Sequence, residues 1–206
     1  MRKTFYLIFL SFLLTLILLS PLSGADTPRF TVPVHNDKVV KVLNQSGRCT
    51  GFSISDHIIA TCAHCIREGQ APYLDSGEPL TVLYVGTEST SADFALLWVE
   101  KPRAEWFRLR DHEPNESDPL IQVSKNPESF VISLAFLGAV KDGAYLVKGR
   151  VRPGDSGSPV LDQDNYVIGI TFAYNPMAGD LGYLAPIGQV ISKVLELKLA
   201  PPPGSW

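Results

Sequence analysis

Ten short runs of apolar and β-branched residues, separated by Gly, Pro, Asn, Asp and Ser, are spread through the sequence between residues 38 and 186. β-Branched side chains fit a pleated surface and turn residues end each run, so these segments predict short strands. The runs are 38–44, 49–55, 57–61, 79–86, 92–100, 120–123, 130–137, 144–148, 166–173 and 181–186. Many short strands with turn signals between them are typical of an all-β barrel or sandwich.

One helix is predicted, at 189–199, because apolar residues recur there at steps of three and four. These residues are Val190, Ile191, Val194, Leu195 and Leu197. The segment 200–206, APPPGSW, cannot extend the helix, because proline lacks the N–H that a helix needs, and it predicts an exposed, extended tail. The most polar stretch, 103–118, predicts a linker between two halves of the chain.

Residues 1–25 predict a secretory signal peptide. Arg2 and Lys3 precede the almost wholly apolar run 4–20, and Ser23 and Ala25 place small side chains where a signal peptidase cleaves. The run is shorter than the roughly 20 residues that span a bilayer, so we favour cleavage after Ala25 over a retained membrane anchor. The mature chain, 26–206, would suffice for one domain or two small barrels.

The charge of the chain excludes two classes of partner. Its net charge is −3 at pH 7, and removal of a signal segment with two positive charges and no acid would lower it to −5. A mildly acidic protein has no electrostatic basis for binding nucleic acid or an anionic membrane surface. We therefore expect neither partner, and we expect a secreted or periplasmic protein without stable membrane association after cleavage.

The chain has three cysteines, Cys49, Cys62 and Cys65. Export to an oxidising compartment makes a disulfide plausible, and an odd number leaves at least one thiol over. The alternative is a zinc site, because Cys62, His64 and Cys65 lie close together in sequence. Structural zinc sites usually need a second ligand pair, which this cluster lacks, so no metal is expected.

The segment VRPGDSGSPVLD, residues 151–162, holds Ser156 between glycines and an acid. It has two interpretations: a tight turn alone, or a nucleophile surrounded by its own backbone N–H groups. A serine nucleophile needs a base, usually a histidine held by a buried carboxylate. Among four histidines, His64 follows a strand and a small-residue turn, and Asp93 stands at the mouth of an apolar strand where neighbours can bury it.

Three motifs resemble those of the chymotrypsin-like (trypsin-like) serine proteases. They are ATCAHC at 60–65, DFALL at 93–97 and GDSGSPV at 154–160, in the family's order of His, Asp and Ser. The resemblance covers about 32–195 and implies two six-stranded-type β-barrels followed by a C-terminal helix. The protease domain would span 26–199, with the first barrel at 30–102, the linker at 103–118 and the second barrel at 119–187.

The resemblance also implies roles for individual residues. Ser156 would attack the scissile carbonyl, His64 would accept its proton, and Asp93 would orient His64. The N–H groups of Gly154 and Ser156 would form the oxyanion hole, and no cofactor is needed. Asp75 and Asp111 stay open as alternative acids. The family often links the places held here by Cys49 and Cys65, so the resemblance implies that disulfide and leaves Cys62 as a small buried residue.

Specificity is less determined by the motifs. By resemblance, Thr171, Phe172 and Ala173 would line the strand that binds substrate, and Arg150 stands where the pocket floor often forms. A positive floor would suit an acidic substrate side chain. We favour the alternative that Arg150 faces solvent or pairs with Asp155, for which Arg152 is the other candidate partner.

The leading hypothesis is an exported serine endopeptidase that acts on a protein or peptide substrate. One alternative is a binding protein on a protease scaffold with little or no turnover, because fold alone does not prove activity. A further alternative keeps the machinery but acts on an ester or on a single dedicated protein. An α/β-hydrolase is disfavoured, because that fold alternates strands with helices and runs Ser, acid, His along the chain.

Overall fold

The computed structural model describes residues 37–45, 47–127, 130–140, 142–175, 177 and 180–199. The predicted signal peptide, 1–25, and the predicted tail, 200–206, lie outside the described residues, and both stay predictions. Within the described ranges, the helices are too short or too polar to cross a membrane.

The first half of the chain forms a curled six-stranded antiparallel sheet with the order β4-β1-β2-β3-β6-β5. An isolated bridge between Tyr73 and Pro79 brings strand β4 close to the start of β5, so the two edges of the sheet approach each other. The strands are β1 (Val39–Asn44), β2 (Gly47–Ser53), β3 (Ile58–Thr61), β4 (Tyr73–Leu74), β5 (Leu80–Val85) and β6 (Ala95–Val99).

The second half forms a closed antiparallel barrel with the order β10-β11-β12-β9-β8-β7. Its interior is filled by large apolar side chains, among them Phe136, Ile168 and Leu184, which are fully or almost fully buried. The strands are β7 (Pro119–Val123), β8 (Val131–Ala139), β9 (Tyr145–Lys148), β10 (Pro159–Leu161), β11 (Val167–Asn175) and β12 (Leu181–Pro186).

One helix, α1 (Ile187–Glu196), follows β12 without a connecting loop. The sequence predicted a helix at 189–199. The predicted start is too late, because the apolar pattern left out Ile187, which is 1% exposed. The end was also wrong: Lys198 has a φ of 53°, a left-handed conformation that a helix cannot continue through. Leu195, inside the helix, and Leu197, just after it, are both exposed and do not belong to the packed face.

The predicted fold is confirmed, with two differences in detail. All ten predicted strands are present, nine of them with shifted ends, but the first sheet is a curled half-barrel rather than a fully closed barrel. Two strands were missed, Tyr73–Leu74 and Pro159–Leu161. They have two and three residues, too few for a period of two to be visible, and Pro159 is a residue that sequence patterns count against a strand.

The largest core cluster joins the two sheets through the linker between them. Phe107 donates its N–H to Ser53 O of the first sheet, and Arg110 donates its N–H to Val167 O of the second. Phe107 is 4% exposed and packs edge-to-face on Phe52, with the ring centroids 6.0 Å apart. The linker thus fixes how the two sheets face each other, and this arrangement positions the site between them.

We predict that Phe107→Ala lowers the free energy of unfolding by about 3–5 kcal/mol, because it removes a buried aromatic ring at the junction of the sheets. Urea unfolding followed by tryptophan fluorescence measures the loss. Leu195→Ala is the matched control, since its side chain is 57% exposed and its removal should cost less than about 0.5 kcal/mol. Equal losses in the two variants would contradict the assigned role of Phe107.

Candidate active site

His64 lies in a short 3₁₀ turn, Ala63–Cys65, that follows strand β3. The turn is tied to β2 by the Cys49–Cys65 disulfide, which confirms the predicted pairing. The Asn44 side-chain amide also donates to Cys65 O at 2.8 Å. Because two separate strands hold the residue after His64, the backbone beneath the imidazole has little freedom to move.

Asp93 is fully buried at the end of the loop before β6 and is directed at His64. Its carboxylate accepts from His64 Nδ1 at 3.0 Å and from the backbone N–H groups of His64 and Ser89 at 3.1 and 2.7 Å. Burial raises the pKa of this carboxyl, but the hydrogen bonds from His64 and Ser89 outweigh it, so the pKa is lowered overall. Because the Nδ1–H of His64 donates to Asp93, Nε2 of the imidazole is left as the proton acceptor.

The two alternative acids lie elsewhere. Asp75 is exposed in the turn after β4. Asp111 is exposed, and its carboxylate lies against Gly188 in the first turn of α1, where an added Cβ would overlap it. Of the three candidate carboxylates, the described contacts therefore bring only Asp93 to His64.

The turn that carries Ser156 packs directly on the strands that lead to His64. The Gly157 N–H and the Cys62 thiol both donate to the same acceptor, Thr171 O, at 2.8 and 2.9 Å. Thr50 N donates to Ser156 O at 2.9 Å. Ser156 and His64 thus belong to adjacent turns, although their side chains share no hydrogen bond among the described residues. Such bonds are often long before substrate binds.

Gly157 makes this close approach of the two turns possible. Its φ is 85°, and an added Cβ would overlap Thr50 O and Thr61 Oγ1. A side chain at this position would therefore push the Ser156 turn away from the first sheet. The glycine is required here by a left-handed conformation and by contact with neighbouring backbone at the same time.

A buried polar network lies beneath the Ser156 turn. Asp155 is fully buried and accepts from the Ser124 hydroxyl at 2.9 Å and from the Arg152 N–H at 2.8 Å. Ser124 Oγ is 3.1 Å from Thr50 Oγ1, and Thr50 Oγ1 donates to Gly154 O at 3.1 Å. The network joins β2, the segment after β7 and the turn, so it fixes the turn relative to both sheets.

The sequence did not single out Thr50 or Ser124, because an isolated serine or threonine near a strand end carries no local pattern. The suggested pairing of Asp155 with the guanidinium of Arg150 or Arg152 stays a prediction. The contact with Arg152 described above runs through the backbone N–H.

Within the described part of the chain, two backbone donors at the turn have no protein acceptor. Among the hydrogen bonds of the described residues, neither the Gly154 N–H nor the Ser156 N–H has one, whereas the intervening Asp155 N–H donates to Arg152 O. Gly154 has a φ of 97° and is half-buried. Buried or half-buried N–H groups normally find a partner, so this pair is suited to receive an oxygen from outside the chain.

The residues predicted to line the substrate strand differ in position. The Thr171 side chain is 1% exposed and donates to Gln122 Oε1 at 2.6 Å, so it faces the interior and not a substrate. Phe172 lies in a β-bulge opposite β12 and is mostly buried, and Ala173 is half-buried. Arg150 is exposed in the segment before Ser156. The substrate roles of Phe172, Ala173 and Arg150 stay predictions.

Three neighbouring groups could ligate a metal, but each already has a hydrogen-bond partner in the chain. Cys62 Sγ, a His64 ring nitrogen and an Asp93 oxygen lie within 4.8 Å of one another. Cys62 is fully buried, and burial raises the pKa of its thiol well above the ordinary value, with the charge of Asp93 adding to the effect. A metal would need the thiolate, and Asp93 is bonded to His64, so these residues suit proton transfer better than coordination.

The family model of the trypsin-like peptidase domain matches residues 49–170, which is more than half of the chain. The chain belongs to this family, and the protein is a serine endopeptidase, a hydrolase. No curated protein sequence matches the chain. The matched range contains both turns and the buried carboxylate that the structure brings together.

Solved structures share the fold at low sequence identity. The active form of the Rv3671c protease from M. tuberculosis has 20% identity and a TM-score of 0.66, over 82% of this chain and 84% of that one. A serine endoprotease from Yersinia pestis has 20% identity and a TM-score of 0.61, over 78% and 62%. The MamO protease domain from Magnetospirillum magneticum has 16% identity and a TM-score of 0.60, over 76% and 95%. At these identities the likeness concerns the fold alone.

We predict that Asp93→Asn destabilises the protein most at neutral pH. Because folding lowers the pKa of Asp93, its contribution is complete above the ordinary value of 3.8 and is lost as pH falls through the folded value. The difference in unfolding free energy from the unchanged protein should be about 1–3 kcal/mol at pH 7 and should shrink below pH ~4. Urea unfolding across this pH range measures it.

The exposed Asp75→Asn variant is the control for this experiment and should show little difference at any pH. A destabilisation by Asp93→Asn that grows as the pH falls would contradict the assignment.

We predict that Ser124→Ala slows the reaction of Ser156 with a fluorophosphonate probe by about tenfold or more, because it removes a donor to the buried Asp155 and loosens the turn. The rate of labelling measures the effect, and circular dichroism checks the fold. The control is Ser133→Ala, an exposed serine on β8, which should react at the unchanged rate. Equal rates in the two variants would exclude a role of Ser124 in holding the turn.

Proposed function

We propose that the protein is an exported endopeptidase that cleaves peptide bonds through Ser156, His64 and Asp93, by way of an acyl-enzyme. The observation that carries the proposal is the buried Asp93 carboxylate on His64 Nδ1, in a turn packed against the turn of Ser156. This arrangement fixes one imidazole tautomer and stabilises the imidazolium that forms when His64 takes up a proton.

In the first half of the reaction, Ser156 Oγ forms a bond to the scissile carbonyl carbon and its proton passes to His64 Nε2. The negative oxygen that develops is stabilised by the N–H groups of Gly154 and Ser156, which have no acceptor in the described part of the chain. His64 then returns the proton to the leaving amine, and the peptide bond breaks. The acyl group stays as an ester on Ser156.

In the second half, water attacks the ester while His64 takes its proton, and His64 gives that proton back to Ser156 as the acid product leaves. Asp93 keeps its negative charge throughout. The low pKa of its carboxyl supports this role, because a carboxylate that held the proton itself would no longer stabilise the imidazolium.

The edge of β11 supports binding of an extended peptide. From Val167 to Ile170, β11 lies beside β10. The residues that precede β10 in sequence are Ser158 and the Ser156 turn. Beyond Ile170, residues 173–175 pair with β12 on one side, and no strand of the described chain pairs with the other side. A substrate strand could add to this open edge next to Ser156.

Export and maturation are part of the proposal. The predicted signal segment and the Cys49–Cys65 disulfide support passage to an oxidising compartment. The Asp155 carboxylate already accepts from Ser124 and from the Arg152 N–H, so the turn has internal donors for its buried charge. We infer that the site does not need a newly freed amino terminus to become competent.

Labelling of the purified mature protein by a fluorophosphonate tests the proposal. We expect covalent labelling of the unchanged protein, none with Ser156→Ala, and a rate at least about a hundredfold lower with His64→Ala, because the base is lost. His112→Ala is the matched control, since His112 is exposed in the linker and should not affect the rate. A folded, oxidised protein that does not label would overturn the proposal and favour a binding protein on a protease scaffold.

A further inference from the structure

A cavity of about 570 Å³ opens beside the Ser156 turn, on the side of Pro153 and Gly154. We call it the arginine cavity. The side chains that the argument uses line it from four parts of the chain: Arg48, Asn126, Arg150, Arg152, Pro153 and Tyr174. It is therefore a feature of the tertiary structure and not of one loop.

The arginine cavity lies next to the proposed oxyanion hole. Pro153 O accepts from Asn126 Nδ2 at 3.0 Å, so one wall of the cavity is fixed to the segment that leads to Ser156. A Cβ added at Gly154 would lie 3.4 Å from Asn126 Nδ2 and 3.9 Å from Arg48 Nε. The guanidinium of Arg48 thus lies close to Gly154, whose N–H would bind the carbonyl oxygen of the substrate.

Three positive charges meet in the arginine cavity, although the whole chain has a net charge of −3. Two carboxylates are near. Asp180 accepts from the Tyr174 hydroxyl at 2.7 Å, and Asp155 is fully buried beneath the turn, where Ser124 and the Arg152 N–H bind it. Arg48 and Arg150 are exposed, so a ligand can reach both.

The charges of Arg150 and Arg152 affect the hydroxyl of Tyr174, which lines the cavity. Tyr174 has a raised pKa because its hydroxyl donates to Asp180, while Arg150 and Arg152 act in the opposite direction on the same hydroxyl. Tyr174 therefore experiences both the acid at the rim and the arginines. Guanidinium groups stay charged at every physiological pH and match the two oxygens of a carboxylate or phosphate. A group of them at a substrate cleft concentrates positive potential there.

We propose that the arginine cavity binds an anionic side chain of the substrate close to the scissile bond, and that Arg48 and Arg150 determine this preference. The anion is a carboxylate of Asp or Glu, or the phosphate of a phosphoserine, since both present oxygens to a guanidinium in the same way. This proposal rests on the proposed function, because it names the substrate class of the same site.

A digest of a peptide library by the mature protein tests the preference. Cleavage sites are read by mass spectrometry at the four positions on each side of the bond. We expect enrichment of Glu or Asp at one position, and a kcat/KM for a matched Glu peptide about tenfold or more above that of its Gln counterpart. A phosphoserine peptide of the same sequence separates the two sources of the anion. No enrichment of an anionic residue at any position would overturn the proposal.

Variants link the preference to the two arginines. Arg150→Glu and Arg48→Glu should reduce the Glu-over-Gln ratio to about one and raise cleavage of the matching Lys peptide, which loss of structure could not do. Arg150→Lys should keep part of the preference. Arg108→Ala is the control, since Arg108 is exposed on the linker and does not line the cavity. A Glu-over-Gln ratio unchanged in both charge-reversal variants would overturn the roles of Arg48 and Arg150.

A binding experiment separates this proposal from the proposed function. The Ser156→Ala protein is titrated with fluorescent Glu, phosphoserine and Gln peptides, and anisotropy reports affinity without turnover. We expect about tenfold tighter binding of an anionic peptide, weakened by added salt because the attraction is ionic. Equal affinities with normal fluorophosphonate labelling of the unchanged protein would overturn the arginine cavity alone. Absent labelling with anion-selective binding would overturn the peptidase and leave the anion site.

Discussion

The contact between the Ser156 turn and the strands of the first sheet is the constraint on which the rest of the site depends. Gly157 lies against Thr50 O and Thr61 Oγ1 at a distance that excludes any side chain, and it shares the acceptor Thr171 O with Cys62. Because Cys62 is two residues before His64 and Gly157 is one after Ser156, the same contact sets the positions of both turns. A site whose residues come from two sheets needs such a contact to fix their relative positions.

Burial of charge then gives each acid in the site a single role. Asp93 and Asp155 are both fully buried, and burying a carboxylate is unfavourable unless several donors bind it. Asp93 finds its donors at His64 and Ser89, and so it faces the imidazole. Asp155 finds them at Ser124 and the Arg152 N–H, and so it anchors the turn from beneath. Arg48 and Arg150 of the arginine cavity are exposed, so they can meet an anion from the substrate.

Local sequence predicted much of the fold and the central residues of the site. The alternation of short apolar runs with turn residues predicted ten strands, and the three motifs predicted the pairing of His64 with Asp93 and the turn at Ser156. It failed where an element was too short for a pattern, as at Pro159–Leu161, and where a role depends on burial. Thr171 was expected to face substrate, yet its hydroxyl is bonded to Gln122 inside the barrel.

By itself, the sequence determined the class of fold, the order of the motifs and the Cys49–Cys65 disulfide, because periodicity, turn chemistry and a resemblance are local properties of the chain. Only the tertiary structure decided which polar residues support the turn and which arginines share a cavity. Thr50 and Ser124 are 74 residues apart, and Arg48 lies on β2 whereas Arg150 lies in the loop between β9 and β10. Packing brings such residues together, and no local pattern records which distant strand will lie beside them.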